Sequence, residues 1–392
     1  MIHVLMISLD TSLATQPESD ARRRHLAYAE RAGRLTIVVY TPPGVGGAIN
    51  PSRELTILPT NSRHKLTFAI DAIRQARRAP QTQRVDLITT QDPFLTGLIG
   101  LWLRSRLKAP LLVQNHSYFL GNDAWIAEHP LRNSLLHQLA KFTVTRADMY
   151  RTVNRKEREN YLAMGGSHRR SIALPLGTAS ANFAQPVDEK ELSALRAGLG
   201  LLPIHKVVLW VGYPVAFKRV PLLFKVFRRV ASAEPNAQLV LIGDMTCAPD
   251  DLRALARDEG IADRVIMHGP VIHDELPLYY ALGDVYAHSS AYEGVPRVLF
   301  EASAAGLPLV GMSAVGVDEV IEDGVNGYLA PDMDIDGMAG RIVSLLRSPV
   351  QAHEMGMTAR KMAFERYEAQ RYVETWVGVW ERAVELGMKS RK

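Results

Sequence analysis

The chain has a single cysteine, Cys247, in 392 residues, so no internal disulfide can form and no cysteine-based metal cluster is available. Long hydrophobic runs are missing as well. No uninterrupted apolar stretch approaches the roughly 18 residues that would cross a bilayer. Met1 to Leu9 is a short strand-like run ended by Asp10, without the basic start of a signal peptide. These absences make a reducing, cytoplasmic setting the simplest expectation. No internal repeat of short fixed period is visible. Pro42–Gly47 is rich in glycine, but it lacks the G-x-G-x-x-G spacing and no helix opens from it, so it reads as a loop. No aromatic-interleaved basic motif occurs, which argues against a nucleic-acid partner.

What is present is the composition of an ordinary globular protein, with 47% hydrophobic and 22% charged residues. A chain of this length exceeds what one core usually supports, so two α/β domains are expected. Charge is unevenly shared between them. Residues 1–180 carry 24 Lys and Arg against 13 Asp and Glu, whereas 181–392 carry 22 against 28. Basic residues cluster at Arg22–Arg24, Arg63–Lys65, Arg74–Arg78 and Arg104–Lys108. Two readings stand side by side: solvated helix faces, or a basic face for anionic lipid headgroups or a phosphorylated acceptor.

Hydrophobic periodicity alternates between strand and helix. Strand-like runs at His3–Ser8, Leu35–Tyr40, Val85–Thr90, Leu111–Gln114 and Met149–Val153 are separated by helical patterns at Ala21–Ala32, Lys65–Arg78, from Pro93, and at Arg132–Arg146. The rhythm lapses over 178–203 and restarts with Val207–Val211, Gln238–Ile242, Val265–Met267, Val285–Ala287 and Leu309–Val310. The pattern predicts two doubly wound, Rossmann-like α/β domains facing a central cleft. The expected domains are 1–178 and 204–365, joined by a linker at 179–203. A terminal helix, 366–392, is expected to cross back to the first domain.

The densest chemistry lies in Glu293-Gly-Val-Pro-Arg-Val-Leu-Phe-Glu301. Glu293 falls in the turn after a strand, and Pro296 suits the first position of the next helix. That helix would offer the free amides of Arg297 and Val298 and a positive dipole end, which suit a phosphate group. Glu301, about one and a half turns along, could accept hydrogen bonds from ribose hydroxyls, and Glu293 from a sugar. A glutamate pair near a helix start can equally be capping and solvation.

The whole stretch Ser290–Val310 resembles the E-x7-E signature of retaining GT-B glycosyltransferases of family GT4. Other blocks follow in the family's order. Val211-Gly212 followed by Lys218 is similar to the donor loop, Leu241-Ile242-Gly243-Asp244 to a strand-end glycine motif, and His268-Gly269-Pro270-Val271 to a base-binding segment. Gly316–Glu319 and Asp323–Pro331 resemble the two blocks that follow. The match is good over 205–350 and weaker over 1–200.

The resemblance implies a sugar transfer that retains anomeric configuration, with a UDP- or GDP-sugar as donor and a glycan or lipid-linked acceptor. Cell-envelope or exopolysaccharide synthesis is the implied setting, in the cytoplasm or at the inner face of a membrane. It implies roles by position. Lys218 would neutralise the donor diphosphate, Glu293 would bind the donor sugar, Glu301 the ribose, and Gly269 and Pro270 the base. Gly212, Gly243, His268, Gly294, Val295, Arg297 and Val298 would complete the donor site, and His116, in Leu112–Ser117, would be a catalytic histidine. No metal or other cofactor is implied. Asp332-Met-Asp334 and Asp334-Ile-Asp336 do spell D-x-D, but before a helix, where Asp is a favoured N-cap.

Two departures from the family stand out. Tyr213 and Arg219 occupy positions where the family usually carries Arg and Gly, so Arg219 is a candidate replacement cation. The N-terminal Gly-Gly is absent, and Ser19 or Asp20 would occupy its space. Tyr213 and the missing Gly-Gly motivate one alternative, a catalytically silent glycan-binding scaffold; a nucleotide-sugar epimerase of the same architecture is another, against which the E-x7-E spacing argues.

Overall fold

Strands of three to seven mostly apolar residues need both faces covered, and here they lie in parallel sheets flanked by helices. The computed structural model describes residues 1–78, 84–175, 180–367 and 369–389. Two units separate: Met1–Pro175 with Gln370–Lys392, and Leu176–Ala369. The boundary expected at 178–179 lies outside the described residues.

The first unit contains β1 (Ile2–Ser8), β2 (Gly33–Val39), β3 (Leu55–Pro59), β4 (Leu87–Thr90), β5 (Leu111–Gln114), β6 (Met149–Thr152) and β7 (Ser171–Ala173). They form one sheet in the order β3-β2-β1-β4-β5-β6-β7, parallel throughout. Leu5 and Ile7 of β1 pack with Phe68, Ile99 and Tyr150 into a core on one side of it. The terminal helix Ala369–Lys389 belongs to this unit and buries Trp376 and Trp380, the latter edge-on to Tyr28 at 6.0 Å.

The second unit repeats the plan with β8 (Lys206–Val211), β9 (Ala237–Ile242), β10 (Val265–His268), β11 (Val285–His288), β12 (Leu309–Met312) and β13 (Gly327–Ala330). Their order is β10-β9-β8-β11-β12-β13, again parallel. Alternation along β8 feeds two cores: Val208 and Trp210 pack on one side, and Val207, Leu209 and Val211 on the other. Both sheets are doubly wound, as the sequence rhythm predicts. Strands β3, β7 and β13 were not expected, being at most five residues long and lying at sheet edges.

The expected linker is not a free connector. Its described part holds a helix, Glu189–Gly198, and buries Phe183 and Leu201 in the second unit's core. Phe183 stands edge-on to Tyr280 at 5.4 Å. Proline and glycine punctuation masked a hydrophobic anchor whose partner lies about a hundred residues away in sequence.

The helix Arg297–Ala304 is gripped at its carboxyl end. Leu307 N donates to Ala302 O and Gly306 N to Ser303 O, with Gly306 at φ 83, a left-handed cap. Gly356, inside the helix Pro349–Tyr367, lies so close that a Cβ there would sit 1.9 Å from Gly306 O. Helix propensity alone would favour Gly356→Ala by about 1 kcal/mol. Backbone overlap reverses that sign, and the variant is expected to unfold about 1–3 kcal/mol more easily in a urea titration.

Candidate functional site

Strands β8 and β11 are neighbours whose onward connections leave in opposite directions, the arrangement that opens a crevice at the carboxyl ends of a parallel sheet. The loops leaving these two strands bring Lys218 and Glu293 into contact, Nζ to Oε1, with side chains only 14% and 11% exposed. The contact is framed on both sides. Ser290 Oγ donates to Glu293 Oε1 at 2.9 Å, and His288 Nε2 lies 3.5 Å from the same oxygen. Ser289 Oγ donates to Lys218 O at 2.8 Å, and Ala291 N to Phe217 O at 2.8 Å. Glu293 N donates to Val315 O at 2.8 Å, which fixes the turn through Gly294 and Val295. Burial pushes the Glu293 carboxyl up, but contact with His288 and the charge of Lys218 outweigh it and hold it down at about 2. Glu293 is therefore a carboxylate at any physiological pH. Burial also lowers His288, against the pull of Glu293.

Pro296 is the N-cap rather than the first helical residue, because its ψ of 112° is extended; the helix starts at Arg297. The amides of Arg297 and Val298 lie in its first turn. Glu301 is buried. Its Oε2 accepts from Tyr280 OH at 2.9 Å and its Oε1 lies 3.6 Å from His273 Nε2. Neither carboxylate of the pair faces bulk water.

The remaining expected donor-site residues divide into several groups. Gly212 and Gly243 end β8 and β9 in close contact. Gly243 has φ 145, and a Cβ on it would lie 1.9 Å from Gly212 O. His268 ends β10, its Nε2 3.4 Å from Tyr279 OH, and is followed by the exposed Gly269 and Pro270. Tyr213 is exposed. Arg219 adopts φ 51, the left-handed region in which glycine is the ordinary choice, and its Nη1 contacts Asp332 Oδ1 at 2.5 Å. The pair is partly exposed, with side chains 28% and 48% accessible. The other D-x-D acids have structural partners: Asp334 caps the helix Ile335–Arg347 by accepting from Gly337 N, and Asp336 pairs with Arg229. Among the described residues no group of three or more His, Cys, Asp or Glu is arranged to hold a metal ion.

His116 belongs to the first unit, after β5. Ser19, from the loop that replaces the Gly-Gly, caps the helix Asp20–Ala32 there by accepting from Arg22 N, and Asp20 pairs with Arg24. Arg151 of β6 is completely buried. It donates from Nη1 to His116 Nδ1 at 3.2 Å and from Nη2 to Tyr372 OH at 3.2 Å, and lies 5.2 Å from the Trp376 ring. A guanidinium has donors only. His116 Nδ1 must therefore accept, and its ring proton sits on Nε2. That nitrogen is sealed from solvent with no partner among the described residues. Burial, then the charges of Arg151 and Arg24, hold His116 well below the usual histidine range.

Sequence reasoning missed His288, Tyr280, His273 and Arg151. His288 had the one usable signal, a polar residue closing an apolar strand beside Glu293.

The sequence profile described as "Glycosyl transferases group 1" matches residues 205–348, and that described as "Glycosyl transferase 4-like domain" matches 20–177. A similar protein is the GDP-mannose-dependent alpha-(1-6)-phosphatidylinositol monomannoside mannosyltransferase of Mycolicibacterium smegmatis, 28% identical over 57% of this chain. The match spans 59% of that relative's length. The fold is shared with sucrose-phosphate synthase of Thermosynechococcus elongatus, with TM-score 0.80 and 20% identity over 97% of this chain and 99% of the other. It is shared also with the Anabaena protein HepE crystallised with UDP and glucose, with TM-score 0.76 and 18% identity over 97% and 100%.

Two outcomes are expected from the site's electrostatics. The folded carboxyl of Glu293, near 2, lies below its unfolded value near 4.5, so its stabilising share is full above pH 4.5 and is lost as pH falls toward 2. Wild type should lose on the order of 2 kcal/mol more than Glu293→Gln between pH 5 and 2, measured by parallel denaturant titrations. In the first unit, nitrogen-detected NMR should show His116 neutral with its proton on Nε2 down to pH 6. Arg151→Met should raise its titration part of the way back toward 6.5, leaving the burial effect in place.

Proposed function

The chain belongs to the glycosyl transferase group 1 family of GT-B enzymes, and from that premise we propose that it moves a sugar from a UDP- or GDP-sugar to a glycan or lipid-linked hydroxyl with retention of configuration. The observation that carries this reading is the Lys218–Glu293 contact at the switch point of the second sheet, beside the amino end of the helix Arg297–Ala304. A diphosphate carries the charge to draw Lys218 from Glu293, and it gains the first-turn amides of that helix. Glu293, permanently ionised, then offers only acceptor oxygens, which suit sugar hydroxyls. Glu301, with Oε2 on Tyr280 OH and Oε1 near His273 Nε2, is the acceptor assigned to a ribose hydroxyl.

In the reaction the bond from the anomeric carbon to the diphosphate oxygen breaks, and a bond to the acceptor oxygen forms on the same face. The acceptor's proton passes to the departing phosphate. Negative charge grows on the leaving group, where Lys218 is most effective. This scheme assigns the charge stabilisation to Lys218 and needs no metal. The buried, neutral His116 of the first unit is given no proton transfer in this scheme. Synthesis of cell-envelope or extracellular polysaccharide on the cytoplasmic side of a membrane is the setting proposed for it.

Nucleoside diphosphates test the reading directly. UDP or GDP should raise the melting temperature of wild type by mass action and leave Lys218→Ala unmoved. The same variant should turn over donor sugar about 100- to 1,000-fold more slowly. Absence of any nucleotide-dependent shift in wild type, or conversion of the donor without an acceptor, would sink it.

A further inference from the structure

His288 closes β11 as a fully buried side chain, and neither of its ring nitrogens has a hydrogen-bond partner among the described residues. Nε2 stops 3.5 Å short of Glu293 Oε1, the oxygen that Lys218 and Ser290 already share. Of these three neighbours of Oε1, the imidazole is the one able to gain a charge near neutral pH. Burial lowers the ring's affinity for a proton most, Glu293 pulls the other way, and Lys218 adds to the effect of burial. Lys218 and Glu293, from the loops after β8 and β11, are the charged groups that bear on it. Its partner strand β12, Leu309–Met312, has no titratable residue, and Tyr286 of its own strand stacks at 6.4 Å with its hydroxyl on Val211 O. In the next helix, Arg297 and Glu301 act on Tyr280.

We propose that His288 takes up a proton from solvent as a bound diphosphate draws Lys218 away from Glu293, so that the buried carboxylate exchanges one cationic partner for another. In the free site the charges of Lys218 and Glu293 cancel, and a cationic ring beside them would be in excess. With a diphosphate present, Lys218 turns to phosphate and Glu293 keeps only the neutral hydroxyl of Ser290. The site then holds the ligand's negative charge as well as that of Glu293, and both favour an imidazolium. Nδ1 lacks a partner whether or not the ring is charged, so the proton leaves no further nitrogen without one. His288 is thus a positioning residue, acting on the sugar through Glu293. A proton gained on binding makes binding tighten as pH falls. The inference rests on the proposed binding of a sugar diphosphate and names the proton that accompanies it.

Calorimetric titration of the full chain with UDP and with GDP at pH 6.5, in buffers of different ionisation enthalpy, counts the protons taken up per nucleotide bound. Wild type should take up about half a proton or more beyond His288→Gln, the nucleotide's own proton change being common to both. Between pH 8 and pH 6 its affinity should tighten about fivefold more than that of the variant. Gln keeps a donor toward Glu293 but cannot be protonated, which separates the charge from the packing of the ring. Nitrogen-detected NMR reads the same event in wild type, without any substitution: a histidine that is neutral in the free chain becomes an imidazolium when nucleotide is bound. Equal proton uptake by wild type and variant, or histidine rings unchanged by bound nucleotide, overturns the inference and leaves nucleotide binding standing. Failure of wild type to bind either nucleotide overturns it together with the proposed function.

Discussion

A lysine and a glutamate drawn out of water together are each tolerable only because of the other, since desolvating either alone would cost several kcal/mol. The Lys218–Glu293 pair imposes that condition on the second unit. It requires the loops after β8 and β11 to stay in register, which Ala291 N to Phe217 O and Ser289 Oγ to Lys218 O secure. It requires Glu293 to remain ionised, which His288 and Lys218 secure against burial. A ligand that takes one partner must compensate the other. Few groups do both at once, and a sugar diphosphate, anionic at one end and rich in hydroxyls at the other, is one of them.

The first unit meets a related constraint in a different way. Arg151 is buried with no carboxylate among its described contacts; a histidine nitrogen, a tyrosine hydroxyl and a tryptophan face surround it instead. The positive charge is stabilised by neutral acceptors and π density, and in return it suppresses protonation of His116. One guanidinium thus fixes the tautomer of the ring and ties β6 to the terminal helix through Tyr372. The buried ring is thereby held in its neutral form.

The same two sheets show why local signals serve some questions and not others. The parallel, doubly wound class follows from the alternation of apolar strand and helix segments, which is a local rule. The backbone of Arg219 is left-handed at the turn into the helix Val220–Ala233, and its side chain meets Asp332, 113 residues away in sequence. The segment 180–203 carried breaker residues that signalled a linker, while Phe183 found Tyr280 and His273. In each case a long-range partner outweighed the local propensity.

From residue order alone came the two doubly wound domains, the glutamates eight positions apart, a helix placed one residue early at Pro296, and the lysine that follows β8. These are properties of segments a few residues long, governed by hydrophobic period, turn chemistry and motif spacing. Tertiary structure decided which charges meet. Lys218 and Glu293 are 75 residues apart in the chain, and Arg151 and Tyr372 are 221. Charge pairing and desolvation depend on distances of a few ångströms through space, and only the folded sheets bring such distant positions together.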